Sequence, residues 1–326
     1  MNKKLHQMKQ AVILAFLGKT QDRFSDYQKT ATTRDKLEFA SKLTGFDGIE
    51  MVYPYETSTP EETLSLVKEF NLNFAAINVN IKKEPEWVPG ALTRPNKEIR
   101  DRAVKLIKQA KDFAKAVGAP LVTCCPLADG FDLLFQVNYK DAWKFMVETI
   151  GEASDYLPEM PLFIEPKFAE TRVHCHLEST STALLMLKEI GNPKTGITLD
   201  IGHSLQSSEN PAKALVTIYE SGFDAYIHTN DNDTKADWDL IGASYHFLHY
   251  VELMFWAQQY NYNKYFTTDA SPRIFNIVDF FNNHSEITLA AYNLAKTLNH
   301  EEILKMMKDE DYDGLMKMVN KKIYRI

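Results

Sequence analysis

The sequence predicts an α/β protein built as one (β/α)8 TIM barrel with a short C-terminal helical extension. Eight short apolar runs alternate with longer helical patterns along the chain. The runs are almost continuously apolar, as strands buried on both faces are. No G-x-G-x-x-G follows the first run, which disfavours a doubly wound open sheet.

In order, the runs are "AVILAFL" from Ala11, "GIEMVYP" from Gly48, "NFAAINVNI" from Asn73, "APLVTCCP" from Ala119, "PLFIEPK" from Pro161, "GITLDIG" from Gly196, "AYIHTN" from Ala225 and "KYFTTDA" from Lys264. Each is rich in β-branched or aromatic residues and stops at a polar or Pro/Gly cluster. The segments between them read as helices. "NKEIRDRAVKLIKQAKDFAKAVG" opens on a capping Asn96 and closes on Gly118, the start and stop signals of a helix. "DAWKFMVETIGEASDYL", "STALLMLKEIG" and "PAKALVTIYESG" repeat the style. Alternating units of this kind imply right-handed crossovers and a parallel sheet. After the eighth run the chain reads as helix from about residue 274, and "EEILKMMKD" and "DYDGLMKMVNKK" extend past the barrel. The expected division is a barrel over 1–298 and a helical tail over 299–326, packed on the barrel or on a neighbouring subunit.

Composition narrows the partners. Apolar residues make up 44% and charged residues 25% of 326, an ordinary globular mixture. Net charge is −7 with no basic stripe, which argues against nucleic acid. No apolar stretch approaches the ~20 residues that cross a bilayer. "MNKK" before "AVILAFLG" faintly resembles a secretory signal. The apolar run is short, the intervening "LHQMKQ" is polar, and no small-residue cleavage site follows, so a first strand is the expectation. Cys124, Cys125 and Cys175 cannot all pair and include no CxxC, so free thiols and a cytoplasmic location are expected.

In a barrel of this kind chemistry collects at the C-terminal strand ends. Runs five to eight end on Glu165 and Lys167, then Asp200 and His203, then His228, then Asp269. Carboxylates and imidazoles converging there would repel and desolvate one another without a cation. Oxygen-rich ligation with some imidazole suits Mn²⁺, Mg²⁺ or Co²⁺. The stretch "HTNDNDTKADWDL" adds Asp237 and Asp239. Their i, i+2 spacing points both the same way in an extended loop, and with His203 they could hold a second metal. Asp231 and Asp233, nearer the strand, would orient ligands or meet solvent. An acidic loop alone is more often solvated surface; the weight comes from four weak signals arriving in order at four successive strand ends.

These motifs resemble the xylose isomerase-like TIM-barrel superfamily of sugar isomerases and epimerases. "IEPK", "LDIGH", "IHTND", "KADWDL" and "TTDASP" are similar to its strand-five to strand-eight motifs, most closely in the two-metal aldose–ketose isomerases. The likeness implies that Glu165, Asp200, His228 and Asp269 hold a structural metal. It implies a catalytic metal on His203, Asp237 and Asp239 with Asp200 shared, and a Lys167 that bonds the sugar oxygen at C1. Two divalent ions per chain, Mn²⁺ foremost, and a homodimer or tetramer follow from the same likeness. Asp200 in place of a Glu, and His228 in place of an Asp, point toward the rhamnose isomerase branch or a further relative of it. The strand-two His/Asp pair that assists ring opening in xylose isomerase has no counterpart in "MVYPYE", which leaves Glu56 or a water on the metal.

The expected reaction is aldose–ketose isomerisation of an unphosphorylated monosaccharide by 1,2-hydride shift. The alternative is a ketose or inosose 3-epimerase or isomerase with one metal and enediolate proton transfer. The Asp237/Asp239 pair favours the first, since epimerases need no second metal, and Asp269 stands where epimerases carry a Glu. Apurinic endonucleases share the barrel but use more histidines and a basic face for DNA. Elsewhere, the H-x-H of His174 and His176 could bind metal but is expected on a loop and helix start, with Glu170 and Arg172 near substrate or a neighbouring subunit. His246 and His249, and Trp143, read as packing or surface groups. Trp87 would stack on a sugar or close a loop, and Asn78 and Asn80 would bond sugar hydroxyls.

Overall fold

The structure, a computed structural model, describes residues 8–326 apart from Arg23, Thr171 and Arg172. The leading "MNKK" and the expectation for Arg172 lie outside the described residues. All eight apolar runs form strands: β1 (Lys9–Ile13), β2 (Gly48–Tyr53), β3 (Asn73–Val79), β4 (Val122–Cys124), β5 (Leu162–Ile164), β6 (Thr195–Asp200), β7 (Asp224–Thr229) and β8 (Tyr265–Thr268). They close into a parallel barrel in sequence order, with β8 beside β1. The first apolar run continues past its strand. Leu14–Phe16 turns into a 3-10 helix, and Leu14 and Leu17 are fully buried beneath it.

The outer ring is α1 (Thr33–Ser41), α2 (Pro60–Glu69), α3 (Lys97–Val117), α4 (Tyr139–Asp155), α5 (Thr180–Ile190), α6 (Ile201–Gln206), α7 (Pro211–Glu220), α8 (Phe247–Gln259) and α9 (Ile277–Thr297). The predicted signals of α3 operate as read. Asn96 accepts from the Glu98 amide, and Gly118 ends the helix in the left-handed region at φ 76°, where Gly carries no Cβ penalty. The tail adds α10 (His300–Lys308) and α11 (Tyr312–Val319). Ile303 is buried, and Leu315, Met318 and Ile323 pack against the main core.

The barrel interior changes character along its axis. Ala76, Leu121, Phe163 and Tyr226 form a separate apolar cluster, with Tyr265 packed on it. Two glycines make room for this layer: a Cβ on Gly48 would lie 2.4 Å from the Tyr265 ring, and one on Gly196 2.4 Å from Phe163. Side chains alternate along a strand. Two residues further on, the inward positions therefore become Asn78, Thr123, Glu165, His228 and Thr267. Thr123 and Thr198 hydroxyls meet at 2.6 Å across the interior. One more step along β6 and β8 reaches Asp200 and Asp269. The alternation that makes an apolar floor thus delivers polar groups to the open end.

Candidate metal centre at the barrel mouth

Glu165, Asp200, His228 and Asp269 converge. Each offers a ligand atom, and these atoms all lie within 4.8 Å of one another. Strand register explains the meeting, since Asp200 pairs with His228 and His228 with Thr267, two residues short of Asp269. His228 Nδ1 lies 3.3 Å from Asp269 and 3.7 Å from Glu165. This nitrogen is buried and has no hydrogen-bond partner among the described residues. Its opposite nitrogen, Nε2, lies 3.0 Å from Glu50. A proton shared with Glu50 at Nε2 leaves Nδ1 a lone pair aimed at the carboxylates, the arrangement of a metal-ligating imidazole with a carboxylate behind it. The orphaned Nδ1 and the oxygen-rich donor set therefore fit a divalent metal of the Mn²⁺, Mg²⁺ or Co²⁺ type.

Glu50 was not singled out from the sequence. It is fully buried in β2 and also accepts from Tyr226 at 2.8 Å and Asn78 at 2.7 Å. The available signal was a lone acid at an inward position of the otherwise apolar "GIEMVYP".

The second expected set sits beside the first. α6, absent from the predicted elements, begins directly after β6. Asp200 caps it by accepting from the His203 amide at 2.8 Å, as short polar side chains do at helix starts. The cap turns His203 back over the mouth, where Nδ1 lies 3.1 Å from the Pro166 carbonyl. A proton on Nδ1 donated to that carbonyl leaves Nε2 facing Asp237 at 3.3 Å.

Asp237 and Asp239 arrive on a loop closed by an antiparallel bridge between Asp231 and Leu240, with amide bonds of 3.2 and 2.9 Å. Asp231 is not a ligand. It is fully buried and accepts from His246 Nδ1 at 2.7 Å and from the Tyr245 and His246 amides. Asp233 accepts from the Trp238 indole at 2.7 Å on the exposed side. Asp237 Oδ2 is held by Lys167 at 2.6 Å, and Lys167 also reaches Glu170 at 2.5 Å. Asp237 Oδ1 is buried without a partner among the described residues. Among those residues, only the Glu165/Asp200/His228/Asp269 set brings three or more donors within metal-holding distance of one another.

The electrostatics follow from crowding. Burial opposes ionisation of Glu165, but His228 and His203 outweigh it and hold the carboxyl down at about 2. Burial, with Asp269 and Glu165 nearby, pushes Asp200 up to about 7 against the pull of His203. Burial and the neighbouring Asp237 and Asp269 push Asp239 well above the usual carboxylate range. Burial disfavours imidazolium at His203, yet Asp200 and Asp237 raise it to about 9. A bound cation would supply the positive charge that this crowd of buried carboxylates lacks.

Other expectations change in three dimensions. Glu56 does not reach the mouth as a free base: it pairs with Lys36 at 2.6 Å and accepts from the Val52 amide at 2.9 Å. Trp87 is fully buried, with the Arg102 guanidinium 5.0 Å from its ring, so it closes a loop and offers no face to a sugar. Asn78 binds Glu50, and Asn80 accepts from the Lys82 and Lys83 amides, so both serve the scaffold. His174 lies in a two-residue strand, His174–Cys175, paired with Gly130–Phe131, and the following helix starts only at Thr180. His246 precedes α8 and meets His249 edge-on, while the Trp143 indole donates to Glu189. The three cysteines are free and buried. No helix among the described residues is long and apolar enough to cross a membrane.

Comparison with known proteins agrees with this geometry. Xylose isomerase from Priestia megaterium (strain DSM 319 / IMG 1521) is 23% identical over 200 residues, which is 56% of this chain and 45% of that protein. The enzyme of the same name from Marinomonas sp. (strain MWYL1) is 24% identical over 165 residues, 49% of this chain and 38% of that one. The chain thus spans less than half the length of these relatives. Among solved structures, a D-tagatose 3-epimerase-like protein superposes with a TM-score of 0.69 at 17% identity, covering 89% of this chain and 98% of the other. An L-ribulose 3-epimerase gives 0.69 at 13% identity, covering 89% and 96%. At such identities the likeness is one of fold. The family model described as "Xylose isomerase-like TIM barrel" matches residues 37–320. With the closed eight-stranded barrel and the carboxylate–histidine mouth, that match makes the chain a member of the xylose isomerase-like TIM-barrel family.

Proposed function

We propose that the protein is a divalent-metal-dependent isomerase that interconverts an aldose and a ketose, both unphosphorylated, by 1,2-hydride shift. The observation that carries this reading is the convergence of Glu165, Asp200, His228 and Asp269, with His228 Nδ1 buried and making no hydrogen bond among the described residues. Those four would hold one metal, and His203, Asp237 and Asp239, with Asp200 shared, a second; Mn²⁺ is the best match. When bound, such ions supply Lewis acidity that polarises the sugar carbonyl.

The chain's own groups do the rest. Lys167, fixed between Asp237 and Glu170, is a preorganised cation for the oxygen at C1 as negative charge develops there. As the hydride crosses from C2 to C1, the proton on the C2 hydroxyl must travel to the C1 oxygen. Asp239, a buried carboxylate beside Asp237 and Asp269, is the group we assign, in its ionised form, to accept that proton and return it at the C1 oxygen. His203, tied to the Pro166 carbonyl, keeps Nε2 toward Asp237. Glu165 stays ionised against the two imidazoles. We place the protein in the cytoplasm as a homodimer or tetramer.

A second reading has its own support. Only one donor set lies at metal-holding spacing among the described residues, and Lys167 already meets the charge of Asp237. A single metal with enediolate proton transfer would suit that arrangement, giving a ketose or inosose 3-epimerase.

Two measurements test these readings. Chelator-stripped protein should lose turnover of a panel of aldoses and ketoses and regain it with Mn²⁺ or Co²⁺; turnover indifferent to chelation ends both. Reaction in D₂O separates them: little deuterium in product marks a hydride shift, full incorporation an enediolate.

A further inference from the structure

Lys82 lies three residues beyond the end of β3. Its amide donates to the Asn80 side chain at 3.1 Å, which sets the direction of the turn. With Asp132, Gln136 and Glu170 it lines a cavity of 290 Å³. Glu170 is the partner of Lys167, which also holds Asp237, so the cavity is linked to the mouth through one shared carboxylate. Lys167 already gives two of its three ammonium donors to carboxylates. The Lys82 ammonium, in contrast, has no hydrogen bond or ion pair among the described residues. Burial opposes its charge, but Cys125, Glu165 and Asp269 raise its pKa above the usual lysine value. Two of those three groups belong to the metal-ligand set.

We propose that Lys82 offsets the carboxylates of the metal-free centre, and that on metal binding it becomes a substrate-contacting residue, donating to a hydroxyl in the distal half of an unphosphorylated sugar. This rests on the metal-dependent sugar-enzyme reading above. An incoming divalent ion places a like charge near the ammonium and cancels the field that compensated it. A part-buried ammonium without compensation is costly. Hydroxyl lone pairs of a sugar in the adjoining cavity supply what the carboxylates no longer do. Lys82 therefore competes weakly with the metal and cooperates with the sugar, one residue coupling two ligands.

Mn²⁺ titration of wild type, Lys82→Met and Lys82→Arg tests the first half. Calorimetric binding of a non-reacting sugar alcohol, xylitol, to the Mn²⁺-saturated proteins tests the second. Neutralising Lys82 should tighten Mn²⁺ about fivefold and weaken xylitol about tenfold, with the Arg variant near wild type for the metal. Lys82→Gln repeats the neutralisation with a polar side chain should the Met variant not fold. Unchanged or weaker Mn²⁺ binding in the neutral variants, or xylitol affinity equal to wild type, overturns the proposal. Failure of wild type itself to bind Mn²⁺ is a separate result: it removes the metal-dependent reading and this inference with it.

Discussion

Glu50 and Lys167 each meet named charged groups at the mouth, so each can be tested by one substitution. Glu50 faces His228 Nε2 at 3.0 Å and is itself held by Tyr226 and Asn78. Replacing it with Gln keeps the shape but removes the charge that favours a proton on Nε2. Outer carboxylates of this kind typically contribute 10–100-fold in metal affinity, so Glu50→Gln should weaken Mn²⁺ by about that factor in a direct titration. An unchanged dissociation constant would mean that His228 needs no such support. Lys167→Met should abolish turnover while metal content, read by elemental analysis, stays at the wild-type level. Loss of metal in that variant would place Lys167 among the groups that hold the centre together.

At the scale of elements, the segment after β7 shows how structure aims a loop. Asp231 is buried at its base, ties down the Tyr245 and His246 amides at the start of α8, and bridges to Leu240. Asp237 and Asp239 then lie on the returning limb and face inward. Asp231→Ala leaves buried donors unmet at roughly 1–3 kcal/mol, which should lower the melting temperature. Turnover should fall further than stability alone accounts for, because Asp237 would lose its setting against Lys167 and His203. A variant that melts early but turns over normally would show that the bridge is dispensable for the site. α6 makes the complementary point. Six residues carry too little periodicity to be recognised in a sequence, yet the Asp200 cap is what turns His203 toward the mouth.

The whole molecule has a pH dependence set by a buried group outside the ligand set. His284 in α9 is fully buried, its Nδ1 accepts from the Gly242 amide at 3.0 Å, and its Nε2 meets the Thr229 hydroxyl at 3.0 Å. Burial pulls its pKa from 6.5 down to about 3. The unfolded chain therefore takes up a proton below about pH 6.5 that the folded chain refuses. The stability contributed by neutral His284 is complete above that pH and is lost as pH falls toward about 3. The slope is about 1.4 kcal/mol per pH unit for this one group. Denaturant unfolding of wild type and His284→Gln between pH 7 and pH 4 should show a gentler decline in the variant, by close to one proton. Parallel declines would assign acid sensitivity to other groups.

Much of the barrel and part of its mouth were legible in the linear chain, because both depend on local alternation. Eight apolar runs bounded by turn residues specify eight strands, and period-two spacing turns Phe163 and Glu165, Tyr226 and His228, or Tyr265, Thr267 and Asp269 to the same inner face. That is why the four strand-end groups could be named before any coordinates. What tertiary structure alone decided are the contacts between positions remote in sequence. The Glu50–His228 pair spans 178 residues and the Lys167–Asp237 pair spans 70. Lys82 acquires meaning only beside a cavity that several separate segments enclose. Glu56 went the other way, drawn into a pairing with Lys36 that no spacing announces. Periodicity is a property of neighbours along a chain, whereas the partner of a buried charge is chosen only when the barrel closes and brings distant strands within a few ångströms.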